Sequence, residues 1–129
     1  MKALLMSIKP EYAERIISGT KKYEYRKRLA KEDVSLMYIY CTFPLMKVVA
    51  SVNIVGRLSA SPTDLWEITK DAAGISELKY SDYFGGCEIA YAYELGEVNI
   101  FKSNKLLSDF GVATAPQSYV YIEEQTVCL

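Results

Sequence analysis

"LLMSIKPEYAERIISGTKKYEYRKR" (Leu4–Arg28) changes its periodicity twice, and those changes decide the fold. It opens inside an apolar run, Ala3–Ile8, suited to a short buried strand. Pro10 then fits the first turn of a helix, where a missing N–H has no partner to lose. Along that helix Tyr12, Ala13, Ile16 and Ile17 form one apolar stripe, and Glu11, Glu14, Arg15 and Ser18 form the wet face. Gly19 stands where a left-handed residue ends a helix. From Lys22 the period falls to two: Lys22, Glu24, Arg26 and Arg28 would point to one side of a strand, Tyr23 and Tyr25 to the other.

Downstream, "VSLMYIYCTF" (Val34–Phe43) is rich in β-formers and too apolar for an exposed edge. "KVVASVNIVGRLSA" (Lys47–Ala60) reads as a long strand, bent near Gly56 where a side chain is absent. In "SPTDLWEITKDAAG", Ser61 as N-cap, Pro62 at the first position and Asp64 in the first turn predict a helix. Leu65, Trp66 and Ile68 would anchor it in the core. "SELKYSDYF" (Ser76–Phe84) gives a second short helix. "CEIAYAYEL" alternates as a strand, with Ile89, Tyr91, Tyr93 and Leu95 on one side and Glu88, Ala90, Ala92 and Glu94 on the other. "QSYVYIEE" (Gln117–Glu124) gives a last strand. The expectation is one α+β domain over residues 1–129, mainly β: a small curled sheet or barrel of five or six strands with two or three flanking helices. Regular βα alternation is absent, which disfavours a doubly wound sheet.

Composition narrows the functions. The chain has 129 residues, 50% hydrophobic and 24% charged, with a net charge of −1. No global field draws it to nucleic acid or an anionic membrane, so any anionic ligand must be held by a local patch. One such patch exists: Lys21, Lys22, Arg26, Lys27, Arg28 and Lys31 surround a single acid, Glu24. There is no histidine, which removes the usual metal ligand and the usual general base. Cys41, Cys87 and Cys128 are far apart, so neither a disulfide framework nor a metal site is expected from them. The opening apolar run is too short for a signal peptide, and nothing nears the ~20 apolar residues of a membrane span. The expectation is a reduced, cytoplasmic protein with no cofactor; the oligomeric state is not readable.

"GTKKYEYR", read as Gly19-x-Lys21-x-x-Glu24-x-Arg26, resembles the signature of ASCH domains, small β-barrel relatives of the PUA RNA-binding module. "YFGG" (Tyr83–Gly86) and "APQSYVYI" (Ala115–Ile122) resemble later landmarks of that family, and the likeness covers essentially the whole chain. The resemblance implies a PUA-like barrel with a cleft into which Lys21, Glu24 and Arg26 project, and a link to RNA or modified nucleotides. Tyr83, Ser118 and Tyr119 lie in or beside the landmark segments and join the ligand-binding candidates. Some members look like hydrolases, either amidases on acylated cytidine or ribonucleases. In the amidase-like pattern a threonine stands where this chain has Glu24, with a lysine at Lys21 and a distant acid whose nearest counterpart is Asp71. The resemblance therefore carries no hydroxyl nucleophile at that position.

Glu24 and Arg26, two apart on a strand, should share a face. Arginine offers a flat fork of donors for a phosphate or a base edge, and Glu24 can accept from an amino or imino group. Lys21, near Arg26, should have a lowered pKa. The same Glu–Arg pair could be an ordinary structural ion pair, and Lys22, Lys27, Arg28 and Lys31 ordinary solvated charge. Three functions follow. The first is a module binding RNA or a modified nucleotide through Lys21, Glu24, Arg26, Tyr83, Ser118 and Tyr119. The second is a metal-independent hydrolase with Lys21 as base and Glu24 or Asp71 orienting water. The third is a protein-interaction module with no ligand.

Overall fold

The computed structural model describes residues 1–125, so Cys128 lies outside them. β1 (Lys2–Ile8) sends Leu4, Met6 and Ile8 into one core and Ala3 and Leu5 into a second core on the opposite face. Burial on both sides is why its sequence shows no polar alternation. α1 (Pro10–Ser18) closes the first core with Ala13 and Ile16, and ends at Gly19 with φ 86°. β2 is short (Tyr23–Arg26), and leads into β3 (Leu36–Cys41) and β4 (Lys47–Ala60). α2 (Pro62–Thr69) starts as expected, with Ser61 Oγ accepting the Asp64 N–H at 3.2 Å. A 3₁₀ turn (Lys70–Ala72) and α3 (Glu77–Tyr83) precede β5 (Ala90–Lys105), a second 3₁₀ turn (Leu107–Phe110) and β6 (Tyr119–Glu123).

The six strands form one sheet in the order β2-β5-β4-β3-β1-β6, with β1 and β3 parallel and the other pairs antiparallel. The α+β class and the number of strands and helices are as expected. The sheet is curled but not closed into a barrel: β2 and β6 are its edges and share no backbone ladder. Curling comes from β4, whose register with β5 shifts between Val48 and Ala50, Val52 and Ile54, and Ile54 and Gly56. Such irregularities sharpen a strand's bend and twist.

Side chains and a loop fill the seam where closing hydrogen bonds would run. The Arg26 guanidinium at the end of β2 donates to Ser7 O on β1 and to Ser118 Oγ beside β6, each at 3.3 Å. The loop after β2 is held by Tyr93 Oη, which accepts the Ala30 N–H at 2.7 Å, and by Arg57, which donates to Ala30 O and Glu32 O at 2.8 and 2.7 Å. Glu32 N–H in turn donates to Tyr121 Oη at 3.0 Å. The hydroxyls bond loop backbone that has no strand partner.

A third core lies between β2, β5 and the helices α2 and α3, where Ala90 and Ala92 let Leu65, Tyr80 and Phe84 approach the sheet. Tyr25 enters it from β2, 5.0 Å from Tyr80 between ring centroids, with its hydroxyl donating to Thr69 Oγ1 at 2.7 Å. Trp66 packs against this core but Ile68 is exposed, contrary to expectation, because the helix turns Leu65, Trp66 and Thr69 inward and Ile68 away. β5 also runs ten residues past the expected Leu95, through a polar half in which only Phe101 is buried. Hydrogen bonding to β4, rather than apolar periodicity, holds that half.

Replacing Tyr93 by Phe tests the seam. The buried Ala30 N–H would lose its acceptor, and urea unfolding should show about 1–3 kcal/mol less stability. A loss within error of zero would show that the loop is held by other means.

Candidate functional site: a buried Lys–Glu–Arg row

Gly19 turns the chain sharply after α1, so that both Thr20 N–H and Lys21 N–H donate to Arg15 O at 3.0 Å. Lys22 N–H then donates to Ala72 O at 2.9 Å, fastening the turn to the first 3₁₀ turn. Between these two anchors the Lys21 side chain points inward and is only 3% exposed, at the floor of a cleft. Its Nζ donates to Ala73 O at 2.7 Å and lies 3.9 Å from Glu24 Oε1. The ammonium also sits over the Tyr25 and Tyr12 rings, 4.8 and 5.4 Å from their centroids.

Gly74 makes room for the lysine stem: its φ is +64°, and a Cβ there would collide with Lys21 Cβ and Cγ. Its carbonyl also accepts from Arg15 Nη1 at 2.9 Å, tying α1 to the same loop. Burial pulls the Lys21 pKa down to about 8, Arg15 and Arg26 push the same way, and Glu24 opposes them. The lowering expected from Arg26 is real in direction, but desolvation is its first cause.

β2 alternates as its sequence predicts. Glu24 and Arg26 face the cleft, and Tyr25 faces the third core. Lys22 and Arg28 lie outside the strand and are exposed. Glu24 Oε2 accepts from Arg26 Nη2 at 2.7 Å, a short charge-assisted bond with only 10% of the glutamate side chain exposed. Lys21, Glu24 and Arg26 thus form a cation–anion–cation row with one net positive charge. Among the described residues, the buried Arg26 Nε–H has no hydrogen-bond partner.

The row lines a cavity of about 730 Å³, whose walls include Ser7, Tyr12 and Tyr83. A second cavity of about 640 Å³ lies beside it, and Arg26 and Tyr83 line both. Ser118 and Tyr119 border this second cavity and not the first. Asp71 is exposed on the 3₁₀ turn and lines neither, so the structure does not bring it to Lys21. Three residues of the site escape sequence reading. Tyr12 belongs to an ordinary apolar stripe, Ser7 contributes its carbonyl, and Gly74 shows only as a glycine after a helical pattern.

The profile of the ASCH domain matches residues 6–101, spanning α1, the buried row and most of β5. The chain belongs to the ASCH domain family. An ASCH domain-containing ribonuclease from Zymomonas mobilis is 28% identical over 131 residues, covering 96% of this chain and 86% of that one. The crystal structure of ASCH from Zymomonas mobilis superposes with a TM-score of 0.86 at 28% identity, covering 95% of this chain and 88% of that one. A tyrosine-to-phenylalanine mutant of that ASCH protein gives the same TM-score at 27% identity, over 96% and 92% of the two chains.

Lysine burial in this ASCH domain has a pH signature. Between pH 8 and the ordinary lysine pKa of 10.5, the unfolded chain keeps a proton that folded Lys21 has released, so stability rises with pH there. Buried Tyr25, whose pKa is pushed up, acts oppositely above about pH 10, which sets the upper limit of the useful window. From pH 8 to 10 the wild type should gain roughly 2 kcal/mol relative to Lys21→Met in urea unfolding. A difference that stays flat across the window would contradict the buried ammonium.

Proposed function

We propose that this ASCH domain binds single-stranded RNA, or a nucleotide of it, in the cleft over Lys21, Glu24 and Arg26. The observation that carries the proposal is the row itself, two cations sharing one carboxylate at the floor of a cavity of about 730 Å³. A recess of that volume suits a nucleotide-sized ligand. Arg26 is held by Glu24, Ser7 and Ser118, so its fork is fixed before a phosphate arrives. Lys21 adds a compact charge in a site with little water to screen it. Glu24 Oε1, 3.9 Å from Lys21, can also accept from the amino or imino group of a base. Tyr83, 37% exposed on the wall, offers a ring for stacking. The ribonuclease name of a relative aligned over most of both chains supports RNA as the ligand class.

A second reading, RNA cleavage in the same cleft, is favoured by the Lys21 pKa of about 8. Roughly a tenth of the amine is then neutral at pH 7 and can act as a base. The amine would take the proton of a ribose 2′-hydroxyl. The 2′ oxygen attacks the adjacent phosphorus and the 5′ oxygen leaves, giving a 2′,3′-cyclic phosphate; the leaving oxygen takes a proton from water. Arg26 would stabilise the charge that builds on the phosphoryl oxygens. Asp71, outside both cavities, has no part in this scheme.

Fluorescence titration of labelled single-stranded RNA tests the binding proposal. Arg26→Ala should weaken binding by about 10- to 100-fold and make the salt dependence shallower by about 0.7 in log–log slope. Unchanged affinity would overturn it. For cleavage, short RNAs and acylated cytidine incubated in chelator should show RNA turnover that rises towards pH 8 and is lost in Lys21→Met. No turnover of RNA by the wild type would remove the second reading and leave the first.

A further inference from the structure

Beside the buried row, the loop that follows β2 carries Lys27, Arg28 and Lys31, all exposed. Among the described residues none of the three is paired with an acid, whereas Lys2, Arg57, Lys70 and Lys79 all are. Glu32 follows Lys31 directly in sequence, but Lys2 Nζ already occupies both its oxygens at 2.9 and 3.0 Å. Unpaired cations on a mobile surface would be unremarkable solvated charge. Here they line the second cavity of about 640 Å³ together with Tyr83, Tyr119 and Tyr121, and Lys27 Nζ lies over the Tyr83 ring, 5.1 Å from its centroid.

Cations and tyrosine rings lining one cavity are what a single strand needs, phosphate held by charge and unpaired base by a flat face. The two cavities are not independent, since Arg26 and Tyr83 line both. Arg26 Nη1 donates to Ser118 Oγ at 3.3 Å, which leaves the serine hydroxyl hydrogen free to donate into the second cavity. A strand crossing Arg26 would therefore find donors on both sides of one guanidinium. A lone nucleoside filling the first cavity would leave the second without an occupant.

We propose that the cavity over Lys27, Arg28 and Lys31 is a second nucleotide subsite. The occupant of this cleft is then a single-stranded oligonucleotide of at least two nucleotides whose backbone crosses Arg26. The inference rests on the reading that the first cavity takes a nucleotide. It adds that an isolated nucleotide is a poor ligand, and that the exposed loop supplies the difference. Duplex RNA is excluded on the same ground, because paired bases present no free face to the tyrosines.

The test compares uridine monophosphate with a hexauridylate carrying 2′-O-methyl groups, which block cleavage through the 2′ oxygen. The wild type should bind the hexamer at least about tenfold more tightly. The double charge reversal Arg28→Glu/Lys31→Glu, at two exposed positions and checked for folding by circular dichroism, should bring the hexamer down to the affinity of the monophosphate. It should also make the salt slope shallower by about 1.4, for two lost phosphate contacts. Equal wild-type affinity for the two probes, or a hexamer affinity and slope unmoved by the double reversal, would overturn the second subsite while leaving the first. A hexaglutamate peptide that competes as well as the hexamer would overturn it too, since charge alone would then suffice. Failure of both probes to bind would overturn the underlying reading together with the inference.

Discussion

An ammonium group held almost wholly out of water must be surrounded by acceptors, and Lys21 is such a group. A buried charge without partners costs several kcal/mol, so the surroundings of Lys21 are built to high tolerance. One proton is given to the Ala73 carbonyl, Glu24 supplies the opposite charge, and two tyrosine faces cover the rest. Each partner depends on a backbone device: the turn at Gly19, the close approach at Gly74, and the strand alternation that turns Glu24 inward. Because Glu24 also binds Arg26, and Arg26 reaches across to β1 and the start of β6, the same three side chains tie the open edges of the sheet together. Cleft and seam are one structure here, since the Glu24–Arg26 ion pair belongs to both.

Much of this was legible in the sequence. The apolar stripe of α1, Gly19 at its end and the period-two run through Glu24 and Arg26 all stand as read, and β4 runs from Lys47 to Ala60 as its β-rich sequence indicates. These features are local, set by neighbours a few residues apart. What stayed hidden depends on distant partners. The open seam depends on where a four-residue strand stops relative to β6. The outer half of β5 is held by the ladder to β4 while most of its side chains are exposed. Asp71 is the nearest counterpart of a distant acid in the family pattern, but on the 3₁₀ turn it is exposed and lines neither cavity. Tyr12 and Gly74 carry no sequence mark that separates a site residue from a core or turn residue.

Seven of the 11 tyrosines divide along the same lines. Tyr25, Tyr38, Tyr80 and Tyr93 are buried in the cores, and each hydroxyl meets a group elsewhere in the chain: Thr69 Oγ1, the Gln125 backbone, Pro62 O and Ala30 N–H. A tyrosine can fill a core and still bond a loop at its tip, which phenylalanine cannot. Tyr83, Tyr119 and Tyr121 instead border the second cavity together with the unpaired cations of the loop after β2, Lys27 lying over the Tyr83 ring. A chain of net charge −1 can in this way present a strongly basic, aromatic-walled groove without being basic as a whole.

The most direct measurement is the pH titration of the Lys21 Nζ by NMR, followed at its ¹³Cε resonance with and without a saturating uridine oligonucleotide. The free protein should titrate near pH 8, and a phosphate seated beside the ammonium should move that midpoint upward by a unit or more, on the order of a close opposite charge. A midpoint at the ordinary lysine value, or one that the oligonucleotide leaves in place, would contradict a buried row that receives an anion.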